Sequence, residues 1–308
     1  MKILIVGAGA IGGYFGGRLL EKGEDVTFLV REKRQQQLRA NGLVVESIHG
    51  DMHVPEPKTV LAGENAEPYD VILVSTKSYH LEGAIEDIRH YVGEETMVLP
   101  LLNGMAHLDV LIKAFGTEKV IGGLCFIETT LAQDGKIIQT SPIHDLVFGE
   151  RTGEKTVRIL QLENVFSGTK ASFRLSEKIQ QEMWHKYLFI TSLSGITSLF
   201  RSPIGPIRDQ EHGWHTIHKL VHEAAEIMER LDAPLAEGAI EATLGKMNEI
   251  GHGMKSSLQR DMEKSLLTEA DHLFGYLLEN AKKSGLEAPI LSAIYANVKV
   301  YESQLASE

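Results

Sequence analysis

The chain has 308 residues, 43% hydrophobic and 24% charged, with 31 basic against 42 acidic side chains and a formal net charge of −11. Such a composition supports two ordinary domains with sizeable cores and excludes disordered and fibrous classes. The acidic balance excludes a general surface for nucleic acid or anionic membrane, because its field repels phosphate-rich polymers, and the single cysteine, Cys125, excludes an intrachain disulfide and any paired-cysteine metal motif. One cysteine also fits a reducing cytoplasm. No run approaches the ~18 apolar residues of a membrane span. The apolar start meets a glycine turn without a basic region or cleavage site, so no signal peptide is expected.

The first predicted element is a strand, Lys2-Ile3-Leu4-Ile5-Val6, which breaks into Gly7-Ala8-Gly9-Ala10-Ile11-Gly12 and then a helical pattern with Tyr14, Leu19 and Leu20. In this strand-turn-helix context the GxGxxG spacing reads as a dinucleotide fingerprint. Gly7 permits the tight turn, Gly9 lets backbone approach a pyrophosphate, and Gly12 lets the helix pack closely on the sheet. The free N–H groups of the helix start face the phosphates. The next strand, Asp25 to Val30, delivers Arg31 where an NAD enzyme would place a carboxylate, about 20 residues after the fingerprint. Arg31, with Lys33 and Arg34 behind it, suits a 2′-phosphate and favours NADP(H). Each of these side chains also reads as part of a solvated first turn, and Glu32 keeps NAD open.

Further strand-like runs follow at Asp70 to Thr76, Thr96 to Leu101, Val120 to Thr130 and Lys136 to Thr140. Alternation with helical runs predicts a doubly wound, mostly parallel Rossmann-type sheet, with antiparallel additions at Gly42 to Val54 and around the Asp134-Gly135 turn. Two loops fall at carboxyl ends of strands, where open α/β sheets meet ligands: Ser75-Thr76-Lys77, and Leu101-Leu102-Asn103-Gly104. Lys77 can touch cofactor ribose or phosphate, and Asn103 a substrate or nicotinamide oxygen; a helix-leading surface residue and a plain turn are the bland alternatives. After about Ser176 the pattern becomes helical, as in Trp214, Ile217, Val221, Ala224, Met228 and Leu231. The expected division is an NADP-binding domain over 1–175 and an all-helical substrate domain over 176–308, with the active site in the cleft between them.

In the second half, Met183, Lys186, Ile190 and Leu193 fall on one helix face, so a lysine interrupts an apolar stripe. Buried, it would lose proton affinity and serve as general acid; snorkelling to solvent is the alternative. His212, His215, His218 and His222 run along one helix side, but no HExxH arrangement accompanies them and no metal site is expected. Ser256-Ser257 reads as a helix cap or a carboxylate-binding hydroxyl. Glu269, one residue after Thr268, reads as a complement to the helix dipole.

Taken together, MKILIVGAGAIGG, the Lys77 loop, LLNG, the Trp184-x-Lys186 pair, Ser256-Ser257-Leu258-Gln259-Arg260-Asp261 and Thr268-Glu269 resemble the ketopantoate reductase (2-dehydropantoate 2-reductase) family over essentially the whole chain. The resemblance implies NADPH-dependent reduction of ketopantoate to pantoate on the route to pantothenate and coenzyme A. It further implies Lys186 as catalytic lysine, Glu269 as active-site glutamate, Asn103 as active-site asparagine, Ser257 as carboxylate serine, and Arg31 and Lys77 as cofactor-phosphate contacts. A small-molecule 2-oxo acid is the expected partner, with a homodimer left open. One departure concerns the substrate: pantoate-forming members carry asparagine where this chain has Ile190 and Ile204, and an apolar side chain cannot bind a substrate hydroxyl. A paralogue acting on a less polar 2-oxo acid, or an NADP(H)-binding sensor without turnover, therefore stays open.

Overall fold

The computed structural model describes residues 1–64 and 67–306. Two compact units divide the chain: Met1–Leu102 with His107–Ile179, and Asn103–Ala106 with Gln180–Glu308. The division is not a single cut, since the four residues after Leu102 group with the helical unit, a detour that no composition shift marks.

The first unit runs β1 (Lys2–Val6), α1 (Ala10–Lys22), β2 (Asp25–Leu29), α2 (Glu32–Asn41), β3 (Leu43–Ser47), β4 (Met52–Val54), β5 (Lys58–Val60), β6 (Tyr69–Val74), α3 (Leu81–Ile88), β7 (Val92–Pro100), α4 (Ala106–Phe115), β8 (Gly122–Leu131), β9 (Ile137–Gly149), α5 (Val157–Phe166) and β10 (Ser172–Leu175). A five-stranded sheet in the order β5-β2-β1-β6-β7 is parallel throughout. Its central strands are apolar runs because both faces are covered, with Ile3, Leu4, Ile5 and Val71 to Val74 fully buried. The second sheet has the order β10-β9-β3-β4, with β8 on β9. The expected antiparallel additions are here, as the β3–β4 and β8–β9 hairpins. β9 continues nine residues beyond Thr140, to Gly149, where the sequence pattern ends the strand early. Pro142 explains the difference, since it lies in the register shift between the Ile127–His144 and Thr129–Gln139 pairs, where no ladder donor is needed. Tyr14, Phe15, Val45, Phe148 and Phe166 join both sheets into one core.

The second unit is helical: α6 (Ile179–Phe200), α7 (Ile204–Arg208), α8 (Glu211–Arg230), α9 (Ala239–Glu249), α10 (Ser257–Glu263), a π-helical turn (Asp271–Gly275), α11 (Tyr276–Ser284) and α12 (Pro289–Leu305). α8 packs its stripe of Ile217, Leu220, Val221, Ala224 and Met228 against α7, α9, α11 and α12, whereas Trp214 and Leu231 are only half-buried. α6 is buried all round from Thr191 to Ser198, so it shows little amphipathic period. Its hydroxyls bond back to the helix: Ser192 to the Leu188 carbonyl at 2.8 Å, Thr197 to Leu193 at 2.8 Å, Ser198 to Ser194 at 2.6 Å. No described helix is long and apolar enough to cross a membrane.

Candidate active site

In the first unit β1 ends in a turn with Gly7 at φ +92°, and α1 starts at Gly9 with no side-chain acceptor on its first N–H groups and no acidic residue in its first turn. An orphan helix start without a carboxylate is a ready anion site. A Cβ on Gly12 would lie 2.2 Å from the Gly7 carbonyl and 2.2 Å from Ser75 Oγ, so only glycine allows this helix so near the sheet. A Cβ on Gly9 would meet nothing within 4 Å, so the approach to that backbone is open. Ser75 Oγ donates to the Val6 carbonyl at 3.0 Å and reaches that of Gly7 at 3.3 Å, tying the loop after β6 to the fingerprint.

Arg31 caps α2 and is exposed, whereas Lys77 is half-buried and leads the short helical turn Ser78–His80. The two loops are electrostatic neighbours, since burial and the Arg31 charge both hold His80 below the usual histidine value. Arg34 takes another course from the one its charge suggests: Nε donates to the Ala8 carbonyl at 2.9 Å and Nη1 to Gly135 at 3.0 Å. It fixes the fingerprint from behind, and its buried Nη2, like Thr76 Oγ1, has no hydrogen-bond partner within the protein. Open approach, uncapped helix start, local basic groups and two orphan polar atoms beside the loop together fit the pyrophosphate of a nicotinamide dinucleotide. The sequence places Arg34 with Arg31 and Lys33 at a 2′-phosphate and Ser75 in a ligand-facing loop, but gives no sign of the backbone bonds that both make here, and it does not single out His80.

In the second unit Lys186 is 7% exposed on α6, so nearly all of its side chain is out of solvent. The next residue, Tyr187, is fully buried and donates to the Leu273 carbonyl at 2.7 Å, so α6 meets the π-helical turn directly after Lys186. Burial pushes the Tyr187 hydroxyl well above the usual phenol value, keeping it a donor. Glu269 is half-buried at the entrance to that turn; Thr268 Oγ1, not Glu269, receives the Ala270 N–H, at 3.2 Å, and Thr268 itself donates to Glu302 at 2.6 Å. Asn103 belongs to the same unit, with His272 bonded to its backbone.

Ser256 and Ser257 separate clearly. Ser256 is buried, caps α10 by accepting from the Gln259 N–H at 3.1 Å, and pairs with Thr197 at 2.8 Å, while Ser257 is exposed on the first turn. Ile204 is fully buried with its N–H on the Met254 carbonyl at 3.0 Å, and Ile190 is half-buried one helical turn beyond Lys186. The four histidines of α8 lie along an open face with Glu211, Lys219 and Glu226, and no group of three metal-ligating side chains is found among the described residues.

A parallel-sheet unit with a glycine-rich strand-turn-helix start, followed by a helical unit that carries buried Lys186, half-buried Glu269 and Asn103, places the chain in a class of α/β proteins with a helical second unit. Comparison with known proteins narrows it: the family model for ketopantoate reductase PanE/ApbA matches residues 3–153, and that for its C-terminal part residues 178–302. The chain belongs to the ketopantoate reductase PanE/ApbA family. It is 45% identical over 304 residues to the uncharacterized oxidoreductase YkpB of Bacillus subtilis, across 99% of this chain and 100% of the relative. It is 26% identical to the 2-dehydropantoate 2-reductase of Pyrococcus horikoshii, over 98% of each chain. The crystal structure of 2-dehydropantoate 2-reductase from Geobacter metallireducens is similar with a TM-score of 0.88 at 27% identity, covering 97% of this chain and 99% of that one.

Proposed function

We propose that the chain reduces a 2-oxo acid to the 2-hydroxy acid at the expense of NADPH, with 2-dehydropantoate as first substrate and pantoate, for pantothenate and coenzyme A synthesis, as product. When bound, the dihydronicotinamide supplies the hydride. Gly7, Ala8, Gly9, Ala10, Ile11 and Gly12 hold the pyrophosphate through backbone N–H groups, and Arg31 with Lys77 binds the 2′-phosphate side. A carboxylate at the position of Arg31 would repel that phosphate, so its absence supports NADPH over NADH.

Hydride addition to a ketone leaves charge on oxygen, and a positioned donor must neutralise it. Lys186 delivers that proton from its ammonium to the carbonyl oxygen. Glu269 orients the lysine or a substrate hydroxyl, the Ser257 hydroxyl donates to the substrate carboxylate, and the Asn103 amide holds the substrate. Lys186, buried one residue before the Tyr187 hydroxyl that binds the turn following Glu269, is the observation that most supports this reading, because a lysine is almost never fully buried unless it is paired.

A second reading is favoured by Ile190, half-buried one helical turn beyond Lys186: the substrate is a 2-oxo acid with an alkyl or aryl side chain in place of a hydroxylated one. The test is steady-state oxidation of NADPH, with NADH alongside, by purified protein given 2-dehydropantoate and a panel of apolar 2-oxo acids. Efficient turnover of 2-dehydropantoate supports the first reading, and preference for an apolar acid supports the second. Cofactor binding with no turnover of any acid contradicts both.

A further inference from the structure

His272 has no part in the reaction above, yet it lies between two groups that do. It sits in the π-helical turn three residues after Glu269, and its ring bonds to the backbone of Asn103. A Cβ on Gly104 would lie 2.9 Å from His272 Cδ2, 3.3 Å from Nε2 and 3.3 Å from the His272 carbonyl oxygen, so the Cδ2–Nε2 edge faces the Asn103–Gly104 turn at van der Waals range. Gly104 has φ +80°, so both backbone conformation and clearance demand glycine there. The turn that carries the ring is itself held, by the Tyr187 hydroxyl on the Leu273 carbonyl. Single π-helical turns concentrate at functional sites because the extra residue re-aims the side chains within them.

We propose that His272 is a positioning residue that fixes the Asn103–Gly104 turn, and with it the Asn103 amide, relative to Glu269. The ring donates to the Asn103 carbonyl while its edge packs on Gly104, a constraint that the five-residue connection between β7 and α4 cannot supply alone. Burial lowers the basicity of the ring, while the Glu269 charge and the Asn103 bond oppose that loss. The catalytic consequence rests on the reductase reading; the structural one does not.

The experiment compares wild type, His272→Phe and His272→Gln by hydrogen exchange of residues 103–106 and by steady-state kinetics with the best 2-oxo acid. Phe keeps the ring shape and loses the donor, so exchange at 103–106 is expected to quicken by about tenfold, the loss of one hydrogen bond. Misplacing a binding amide by a fraction of an ångström should lower kcat about 10- to 100-fold and raise KM for the acid, with NADPH affinity unchanged. His272→Gln, which restores a donor, should recover both. Gly104→Ala, pressed into the intact ring, should reproduce the kinetic signature if the Phe variant does not fold. Exchange at 103–106 unchanged in His272→Phe overturns the inference whatever the activity. Faster exchange with wild-type kcat and KM overturns the catalytic consequence. Faster exchange in a chain that reduces no 2-oxo acid even as wild type upholds the positioning and sinks the reductase reading.

Discussion

Gly9 and Gly12 belong to one fingerprint but should fail in different ways when each receives a methyl group. In Gly12→Ala the new Cβ lies 2.2 Å from a backbone carbonyl and from Ser75 Oγ, and 2.9 Å from Ile5 Cγ2. Relief requires α1 to lift from the sheet or Ser75 to swing away and lose its bonds to Val6 and Gly7. Overpacking costs about 1–3 kcal/mol and a lost hydrogen bond about 1 kcal/mol more, so the variant should lose roughly 2–4 kcal/mol. In thermal unfolding that corresponds to a fall on the order of 10 °C. Gly9→Ala places its Cβ in open space at φ −82°, a backbone angle that alanine tolerates, and costs only the cap preference of about 1 kcal/mol or less. It does, however, fill the approach to the backbone N–H groups. Losing one charge-assisted bond to a pyrophosphate costs about 1.5–3 kcal/mol, or roughly 10- to 100-fold in affinity. Calorimetry paired with NADPH titration separates the two variants. A Gly9→Ala protein that binds NADPH as wild type does, or a Gly12→Ala protein that unfolds at the wild-type temperature, would refute the reasoning.

Arg31→Ala should weaken NADPH by about tenfold or more while leaving NADH within about twofold, since one guanidinium–phosphate bond is removed; equal loss of both cofactors would count against a 2′-phosphate contact. Acid should destabilise the first unit through His144, which is buried, stacked on His49 with ring centroids 3.6 Å apart, and hydrogen-bonded through Nδ1 to the Tyr14 hydroxyl at 2.7 Å. Burial, then the His49 and Arg18 charges, hold His144 below the ordinary histidine value against a weaker pull from Asp145. The folded state thus prefers the neutral ring, and the stability it contributes is present above the unfolded pKa of about 6.5 and lost as pH falls toward the lower folded value. His144→Asn should flatten the fall in unfolding midpoint between pH 7.5 and 5; an unchanged slope would remove His144 as its source. Ile190→Asn should shift kcat/KM toward hydroxylated 2-oxo acids by about tenfold or more, and no shift would place residue 190 outside substrate contact.

Local signals were the ones that sequence carried best. A strand running into a glycine fingerprint and a helix involves neighbours only, so β1, α1 and the cradle between them could be read directly. Lys186 stood out as a misfit in an apolar stripe. The short strands β5 and β10 offered three and four residues of mixed pattern, too little to show a period. Pro142 broke the apparent strand at a position where the ladder tolerates it. Arg34 and His272 were illegible for another reason: their partners Ala8, Gly135 and Asn103 are distant in the chain, and a charged or aromatic residue in a helical run gives no sign of which backbone it will meet. Ser256 and Ser257 are equivalent as letters, and only the cap geometry decides which hydroxyl is committed.

The central claim is that Lys186 gives the proton that completes ketone reduction, and Lys186→Met tests it most directly by removing the charge while keeping the buried methylenes. With the 2-oxo acid that wild type reduces best, kcat should fall by about 10²- to 10⁴-fold. NADPH affinity and the unfolding midpoint should stay near wild type. A kcat within about tenfold of wild type would contradict a general-acid role for this lysine.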